Sequence, residues 1–359
     1  MASIRVSVAG GTIDPALVAR AVAAIRSGKN VILPTETVYG LAGDPKDPGT
    51  QARLSAWKGR RDSQPLTHHL ATKAGFAELC EPPNPRVARL IARYWPGPLT
   101  LIAKGKDGGK LGVRVPAQKF TQAMIAGCGG DLFLTSVNRT GEEPLIDPDA
   151  ILRVFGAQVD LICDAGTSKL KIASTVVDVT GAEFTVLREG ILSREEVLGT
   201  AARTILFVCS GNTCRSPLAE GLAKAMAKQR LGIAEDHLLA RGIRFVSAGT
   251  ATLAGMPASE HAILAAREVG VDLLEHRSRP LTRELGRQAA LVLCLTHGHR
   301  QRVLDLDPSL HEKTWLLDPG GEDVHDPFGA DVATYRATRD EIQGLLDARW
   351  GELTKLFAS

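Results

Sequence analysis

The sequence predicts two α/β domains, an N-terminal domain of twisted, mixed α/β architecture and a C-terminal doubly wound domain with a parallel sheet. A chain of 359 residues exceeds what one hydrophobic core usually serves. In the second half, strand and helix patterns alternate regularly, which is typical of a parallel sheet covered by helices on both faces. In the first half, helices and short strands follow one another without that regularity.

The composition is that of a globular enzyme, with 44% apolar and 23% charged residues. No run of about eighteen apolar residues and no secretory leader pattern occurs, so we expect a cytoplasmic protein without a membrane contact. The six cysteines lack the paired spacings of a zinc site, and we predict reduced thiols and no metal centre. A net charge of +3 is too small to predict nucleic-acid binding.

In the first domain, helices are predicted over residues 15–27, 51–58 and 85–94, and strands over 31–33 and 112–115. The segment 190–203 interrupts two strand-like apolar runs and is interpreted as the connection between domains. We therefore place the domains at residues 1–198 and 203–359. In the second domain, strands are predicted at 205–208, 245–247, 290–295 and 313–317, and helices at 217–229, 258–269, 299–304 and 332–356.

The first strand of the second domain ends at Cys209, which places the following loop at the carboxyl edge of the sheet, where ligands bind in such folds. Ser216-Pro217 predicts a helix start, with a capping hydroxyl before a proline at the first helical position. The positive end of this helix and the backbone N–H groups of the intervening loop form a concavity for a tetrahedral dianion. The loop consists of Ser210, Gly211, Asn212, Thr213 and Cys214.

The same electrostatic field favours a thiolate at Cys209, and a thiolate is the nucleophilic form of cysteine. Arg215 returns to the loop and can hold two phosphoryl oxygens with its planar fork. Ser216 can donate a hydrogen bond to the thiolate, and Asn212 suits a left-handed backbone position. A purely structural Cys209 is disfavoured because strand, loop, arginine and helix start agree with one another.

With Ser247-Ala-Gly-Thr and Asp326-Pro-Phe-Gly downstream, residues 204–359 resemble the low-molecular-weight protein tyrosine phosphatase family. The resemblance implies a cysteine-dependent phosphatase that works through a phosphocysteine intermediate, without a cofactor, on a phosphorylated protein. It also implies that Asp326 protonates the leaving group and then acts as base toward water. In some family members a second loop cysteine forms a disulfide with the nucleophile, and Cys214 stands in position to do so or to remain passive.

Two departures from the tyrosine-specific pattern bear on the substrate. Thr213 stands where a bulky aliphatic residue is typical, and Ala251 begins a segment without the usual aromatic residue. Phe328 in the acid loop has no neighbouring tyrosine, so the walls for stacking a phenol ring are thin. Threonine at position 213 resembles the protein-arginine-phosphatase branch, and we expect phosphoarginine to be favoured over phosphotyrosine. An arsenate reductase is disfavoured because Cys294 is isolated, and we interpret His297 and His299 as surface or capping residues.

The first half carries a series of short motifs that is specific because of its order. They are Val31-Ile-Leu-Pro-Thr-Glu-Thr-Val-Tyr-Gly-Leu41, Trp57-Lys-Gly-Arg60, Tyr94-Trp-Pro-Gly-Pro-Leu-Thr100, Val113-Arg-Val-Pro116, Thr135-Ser-Val-Asn-Arg-Thr-Gly141, Ser174-Thr-Val-Val-Asp178 and Leu187-Arg-Glu-Gly190. Together they resemble the YrdC-type threonylcarbamoyl-AMP synthases over residues 10–200. The resemblance implies that L-threonine, bicarbonate and ATP, which enters with Mg²⁺, form threonylcarbamoyl-AMP and pyrophosphate, the first step of tRNA t6A modification.

The same resemblance implies that tRNA and a t6A transferase are partners. It assigns ATP binding to Lys58, Arg60, Ser136, Asn138 and Arg188, and threonine binding to Thr35, Thr37, His69, Arg114 and Ser174. Cations around a triphosphate compensate charge as the α-phosphorus is attacked. Departures at Arg61, Val137 and Lys110 leave an alternative open, in which a phosphotyrosine phosphatase is fused to a non-catalytic nucleotide- or RNA-binding module.

Overall fold

The computed structural model describes residues 4–8, 13–59, 66–139 and 141–358, which divide into two compact units at residues 1–200 and 201–359. The described helices and strands mix α and β structure in both units, in agreement with the predicted fold class. No helix among these residues is both long enough and apolar enough to cross a membrane.

The described part of the first unit forms a ten-stranded sheet with parallel and antiparallel neighbours. Its strands are β1 (Ile4–Ser7), β2 (Val31–Leu33), β3 (Gly40–Gly43), β4 (Thr67–Leu70), β5 (Leu99–Lys104), β6 (Lys110–Arg114), β7 (Asp131–Ser136), β8 (Leu161–Asp164), β9 (Thr175–Asp178) and β10 (Thr185–Arg188). Its helices are α1 (Pro15–Arg26), α2 (Thr50–Lys58), α3 (Phe76–Leu79), α4 (Pro85–Tyr94), α5 (Lys119–Gly127), α6 (Pro148–Phe155) and α7 (Arg194–Ala201). The strand order is β1-β8-β2-β3-β7-β4-β6-β5-β9-β10.

Strand β2 shows how this sheet is covered on both faces. Val31 and Leu33 pack on one side with helices α1 and α5. Ile32 points to the other side, where it packs with Leu54 of α2 and Ile151 of α6. Because successive side chains of a strand alternate between faces, a continuous apolar run such as this one buries both faces of the sheet.

The second unit has a four-stranded parallel sheet in the order β12-β11-β13-β14. The strands are β11 (Arg203–Cys209), β12 (Ile243–Gly249), β13 (Leu291–Cys294) and β14 (Thr314–Leu316), and the helices are α8 (Arg215–Leu231), α9 (Glu260–Arg267), α10 (Arg283–Gln288), α11 (His297–Leu306) and α12 (Val332–Ala358). Phe207 packs with α8, α9 and α12, whereas Leu206 and Val208 pack on the opposite face with Val303 of α11. The unit is therefore doubly wound, as predicted.

The strand order fixes where a ligand can bind in this unit. Strand β12 lies on one side of β11 and β13 lies on the other, so the winding direction reverses next to β11. Ligands of open α/β sheets bind at such a switch point, beyond the carboxyl ends of the strands. Cys209 is the last residue of β11 and lies at this place.

Candidate active sites

The turn after β11 brings Cys209 next to the start of helix α8. The helix begins at Arg215, two residues before the predicted start, and its N-cap residue Cys214 makes no side-chain capping bond. The prediction that Ser216 caps the helix is therefore wrong. Its hydroxyl is fully buried and lies 2.9 Å from Cys209 Sγ instead.

Asn212 holds this arrangement together from a left-handed backbone position, with φ of 52°, as the sequence predicts. Its side-chain amide donates to Ser216 Oγ and to Ser247 Oγ, both at 2.9 Å, and Ser247 donates to Glu220 at 2.7 Å. Since Ser216 Oγ accepts a hydrogen bond from Asn212, its own proton can be donated to Cys209 Sγ. The backbone N–H of Asn212 donates to the same sulfur at 3.2 Å.

Opposing influences act on the ionisation of Cys209, which is 3% exposed. Burial raises the pKa of the thiol above its ordinary value, and it outweighs the other influences. Hydrogen bonds from Ser216 and Asn212 and the charge of Arg215 lower the pKa. The sequence-based expectation of a favoured thiolate is therefore wrong for this geometry: the donors and Arg215 do lower the pKa of Cys209, but burial raises it by more.

An ion pair lies at the mouth of the loop. Arg215 donates to the backbone oxygen of Val324 at 3.2 Å and to Asp326 Oδ2 at 2.6 Å. The guanidinium is almost buried, while the Asp326 side chain is half exposed. Ser210, Arg215 and Asp326 line one cavity, so the anion-binding arginine and the predicted proton donor face the same space.

The two residues predicted to set substrate specificity, Thr213 and Phe328, differ in how exposed they are. Thr213 is half-buried, with its Oγ1 3.6 Å from Cys214 Sγ. Phe328 is 78% exposed, and its backbone N–H donates to Asp326 Oδ1 at 3.2 Å. Neither is among the described residues that line the cavity at the loop.

Strands of the first unit and their connections surround a second cavity. The sequence analysis assigns ten residues of this unit to ATP or threonine binding, and seven of them line this cavity. They are Thr35, Thr37, His69, Arg114, Ser136, Ser174 and Arg188. Motifs that lie far apart along the chain thus meet at one place, because β3, β7, β4, β6, β5, β9 and β10 are consecutive in the sheet.

Lys58, at the end of α2, is 2% exposed and is held at the edge of this cavity. Its Nζ donates to Ser136 Oγ at 2.8 Å and to Asn138 Oδ1 at 2.5 Å. Ser136 in turn donates to Asn138 Oδ1 at 2.7 Å. A buried ammonium group needs oxygen partners such as these.

Arg114 is also buried and is neutralised within its own unit. It donates to Glu36 Oε1 at 2.6 Å and to Thr37 Oγ1 at 3.0 Å. Glu36 Oε2 accepts the N–H of Ala117 at 2.9 Å, which fixes the carboxylate. Burial and the charge of Arg114 lower the pKa of His69 to about 3, so this imidazole is neutral at physiological pH.

Ser174 is fixed from two sides. Thr100 Oγ1 lies 2.8 Å from its hydroxyl, and Arg188 Nη2 donates to its backbone oxygen at 2.9 Å. Gly190 passes so close that a Cβ there would lie 2.1 Å from Ala173 O. The position of Ser174 therefore depends on the absence of a side chain at Gly190.

Comparisons with known proteins identify both halves. Residues 23–190 match the Sua5/YciO/YrdC family model, described as telomere recombination, and residues 204–356 match the low molecular weight phosphotyrosine protein phosphatase family. The protein-arginine-phosphatase of Bacillus subtilis is 39% identical over 146 residues, which is 40% of this chain and 91% of that protein. A putative threonylcarbamoyl-AMP synthase of Mycobacterium tuberculosis is 32% identical over 197 residues, which is 52% of this chain and 90% of that protein.

The chain belongs to both families. A crystal structure of Pyrococcus abyssi Sua5 complexed with L-threonine covers 69% of this chain and 92% of that one, with a TM-score of 0.52 and 20% identity, which supports the fold alone. We refer below to the YrdC domain and the phosphatase domain.

In the YrdC domain, the structure joins Lys58 and Asn138 to the cavity through Ser136, in addition to the seven lining residues. Arg60, the remaining predicted ATP ligand, lies outside the described residues. Glu36 and Thr100 were missed by sequence reasoning. Glu36 lies inside a motif that the resemblance uses, but only the fold shows that it pairs with Arg114.

In the phosphatase domain, Cys209, Arg215, Ser216 and Asp326 come together as predicted. Glu220 and His299 were not predicted to take part. Glu220 lies one helical turn after Ser216 and accepts from Ser247, whereas His299 lies 2.8 Å from Ser210 Oγ and is buried rather than at the surface. Cys214 Sγ lies 3.2 Å from the hydroxyl of Tyr335, and both loop cysteines are free.

The hydrogen bond from Ser216 to Cys209 predicts a measurable change in thiol reactivity. Removing it in Ser216→Ala takes away an influence that lowers the pKa, so the pKa of Cys209 rises and less thiolate is present at neutral pH. A hydrogen bond to a charged group contributes about 1.5–3 kcal/mol, and alkylation by iodoacetamide at pH 7 should slow by about tenfold or more. The measurement is the pH dependence of Cys209 alkylation by peptide mass mapping.

Cys294 is the internal control for this experiment, because burial raises its pKa to about 12 and it should stay unlabelled. An alkylation profile of Ser216→Ala with the same inflection as the wild type would show that Ser216 does not stabilise the thiolate.

Proposed function

We propose that the phosphatase domain hydrolyses phosphoarginine in proteins through a phosphocysteine intermediate. The observation that carries this proposal is the geometry around Cys209 Sγ, which receives hydrogen bonds from Ser216 and Asn212 while Arg215 and Asp326 face the adjoining cavity. The preference for phosphoarginine is supported by Thr213 and by relatives that are protein-arginine-phosphatases, 37–39% identical to this chain.

The reaction follows from the positions of these groups. The thiolate of Cys209 attacks phosphorus while Arg215 and the loop N–H groups bind the non-bridging oxygens. The P–N bond breaks, and Asp326 gives its proton to the departing guanidine nitrogen. Water then attacks the phosphocysteine, its proton passes to Asp326, and the S–P bond breaks to release phosphate and regenerate the thiolate, which the Ser216 hydroxyl stabilises as leaving group.

Binding of a phosphoryl group also rearranges the ion pair at the loop. In the structure Asp326 Oδ2 accepts from Arg215 Nη2. A dianion that takes up the guanidinium fork releases this oxygen to face the leaving group. The acid is thus freed by the same event that places the substrate.

Asp326→Asn should slow turnover by about a hundredfold or more, because the amide cannot give a proton to the leaving group. The loss should grow with the basicity of the leaving group, being larger for phenyl phosphate than for p-nitrophenyl phosphate. The measurement is kcat/KM for both esters. Glu322→Gln, an exposed acid four residues earlier, is the matched control and should stay near wild type; equal losses for both esters would exclude Asp326 as the proton donor.

Thr213→Ile should shift the preference of the enzyme from phosphoarginine toward phosphotyrosine. The substitution removes a hydroxyl that can bind the guanidinium and adds an apolar surface, so the ratio of kcat/KM values for the two substrates should fall about tenfold or more. Hydrolysis of p-nitrophenyl phosphate should change little and serves as the control for loop integrity. A wild-type enzyme that prefers phosphotyrosine would contradict the proposed specificity.

We further propose that the YrdC domain forms threonylcarbamoyl-AMP from L-threonine, bicarbonate and ATP. The supporting observation is that polar side chains from seven strands or their connecting segments line one cavity, with Lys58, Arg114 and Arg188 at or beside it. Lys58, Ser136, Asn138 and Arg188 are assigned to the ATP phosphates, as is Arg60, whose structure is not described. Thr35, Thr37, His69, Arg114 and Ser174 are assigned to threonine.

The chemistry needs charge compensation more than covalent participation. The threonine amine and bicarbonate form a carbamate with loss of water. A carbamate oxygen then attacks the α-phosphorus, and the bond from this phosphorus to pyrophosphate breaks. Neutral His69 can contact the amino acid without adding a further cation. No cluster of three or more metal-binding side chains occurs in the described ranges. Mg²⁺ therefore fits best as part of the MgATP substrate, held mainly by phosphates; tRNA and a t6A transferase would act on the product.

Gly190→Ala should weaken threonine binding by about tenfold or more, because a Cβ would lie 2.1 Å from Ala173 O and 2.7 Å from the Thr175 nitrogen. The segment before β9 that carries Ser174 would have to move. The measurements are threonine affinity by calorimetry and formation of an AMP-linked product that requires threonine, bicarbonate and ATP together.

Gly181→Ala is the matched control, since a Cβ there would make an ordinary contact at 3.5 Å with Glu183 O. Equal threonine affinities in the two variants would remove Ser174 from the threonine site. A folded wild type that binds ATP and makes no such product would favour the non-catalytic module instead.

A further inference from the structure

Ser210, the residue after the nucleophile, is exposed in the cavity of the phosphatase domain, and a buried histidine holds its hydroxyl. His299 Nε2 lies 2.8 Å from Ser210 Oγ. On the other side of the ring, His299 Nδ1 lies 2.9 Å from Thr296 Oγ1. Thr296, His299 and Ser210 thus form one hydrogen-bonded chain from the start of α11 to the rim of the Cys209 loop.

The imidazole in this chain is neutral at physiological pH. His299 is 6% exposed, and burial followed by the charge of Arg215 lowers its pKa to about 4. Asp326 and Asp323, the acids that act on it, raise the pKa by smaller amounts. A neutral imidazole has one donor nitrogen and one acceptor nitrogen, so Thr296 and Ser210 contact opposite kinds of group.

The hydrogen bonds of Thr296 favour one of the two ring tautomers. As the N-cap of α11, its Oγ1 accepts the backbone N–H of His299 at 3.2 Å. Its single proton can then be donated to Nδ1, which places the ring proton on Nε2. Nε2–H donates to Ser210 Oγ, and the proton of Ser210 is left to turn into the cavity. The opposite direction would present only lone pairs of Ser210 to a phosphoryl dianion, which is electrostatically unfavourable.

We propose that Ser210 is a further catalytic residue, whose hydroxyl, oriented by His299, donates a hydrogen bond to a non-bridging phosphoryl oxygen. This inference rests on the proposed phosphatase activity and adds a side-chain donor to the loop N–H groups and Arg215. His299 is a positioning residue, since it acts through Ser210. All donors in the chain point the same way, from Thr296 toward the phosphoryl group, and bonds arranged in this way strengthen one another.

Binding of inorganic phosphate to the full-length protein tests this inference without requiring turnover. Ser210→Ala should weaken phosphate binding, measured by calorimetry, about tenfold, and kcat/KM for p-nitrophenyl phosphate should fall by a similar factor. Ser210→Thr keeps the hydroxyl and should retain most of the affinity. Phosphate affinity of Ser210→Ala within twofold of the wild type would overturn the proposal.

The role of His299 is tested by coupling and by its tautomer. His299→Gln should weaken phosphate binding when introduced into the wild type but not when introduced into Ser210→Ala, because its effect passes through the serine. If the two substitutions each weaken phosphate binding independently, so that their factors multiply in the double variant, the positioning role is overturned. Nitrogen NMR of the wild type should show the ring proton on Nε2, and a proton on Nδ1 would also overturn it. The NMR experiment and Ser210→Ala, at an exposed position, remain decisive if His299→Gln does not fold.

The two proposals can fail separately. A wild type that binds phosphate but hydrolyses neither phosphoarginine nor phosphotyrosine would contradict the proposed function. The phosphate affinities of the Ser210 variants would still decide whether this hydroxyl contacts the phosphoryl group.

Discussion

The phosphatase domain depends on the hydrogen bonds that Asn212 makes with its side chain. A buried cysteine resists ionisation, and the fold must supply donors to make a thiolate accessible. Asn212 uses both amide protons, one on Ser216 and one on Ser247, and its Oδ1 accepts the N–H of Arg279 at 2.8 Å. Because both amide protons and Oδ1 of Asn212 are hydrogen-bonded, the direction of the Ser216 proton is determined by contacts within the protein rather than by solvent.

The YrdC domain buries two cations, whereas the phosphatase domain buries a cysteine that must become an anion. Lys58 and Arg114 are both buried, and each is held by oxygens from distant parts of the chain. Lys58 donates to side-chain oxygens of Ser136 and Asn138, whereas Arg114 is paired with the carboxylate of Glu36. Both cations are therefore fixed in position within the domain.

The parts of these sites that are local in sequence could be predicted, and the parts that depend on sheet order could not. Residues 209–216 form one turn, so strand, loop and arginine were evident from their spacing. The start of α8 at Arg215 was not evident. The sequence suggested that the Ser216 hydroxyl caps the helix, but in the structure this hydroxyl contacts Cys209 Sγ instead.

Sheet order explains the other omissions. His299 contacts Ser210 only because β13 pairs with β11, and the sequence does not show this pairing. Helix α10 was missed for another reason, since its six residues are too few for a periodic pattern. In the YrdC domain, strands of three to six residues carry little periodicity, so most of them were missed although the motifs on them were found. Family resemblance located those motifs, and only the structure shows that they share one cavity.

The ion pair between Arg215 and Asp326 has a consequence for the end of the catalytic cycle. In the proposed reaction, the carboxylate of Asp326 occupies the guanidinium to which the phosphoryl group would bind, so an anion entering the loop competes with an acid of the protein itself. Weakly held anions of the cell, such as chloride, are disadvantaged by this intramolecular competitor. In the proposed reaction the product phosphate faces it too: once Asp326 has released the proton that it took from water, its return to Arg215 favours phosphate departure without any movement of the sheet.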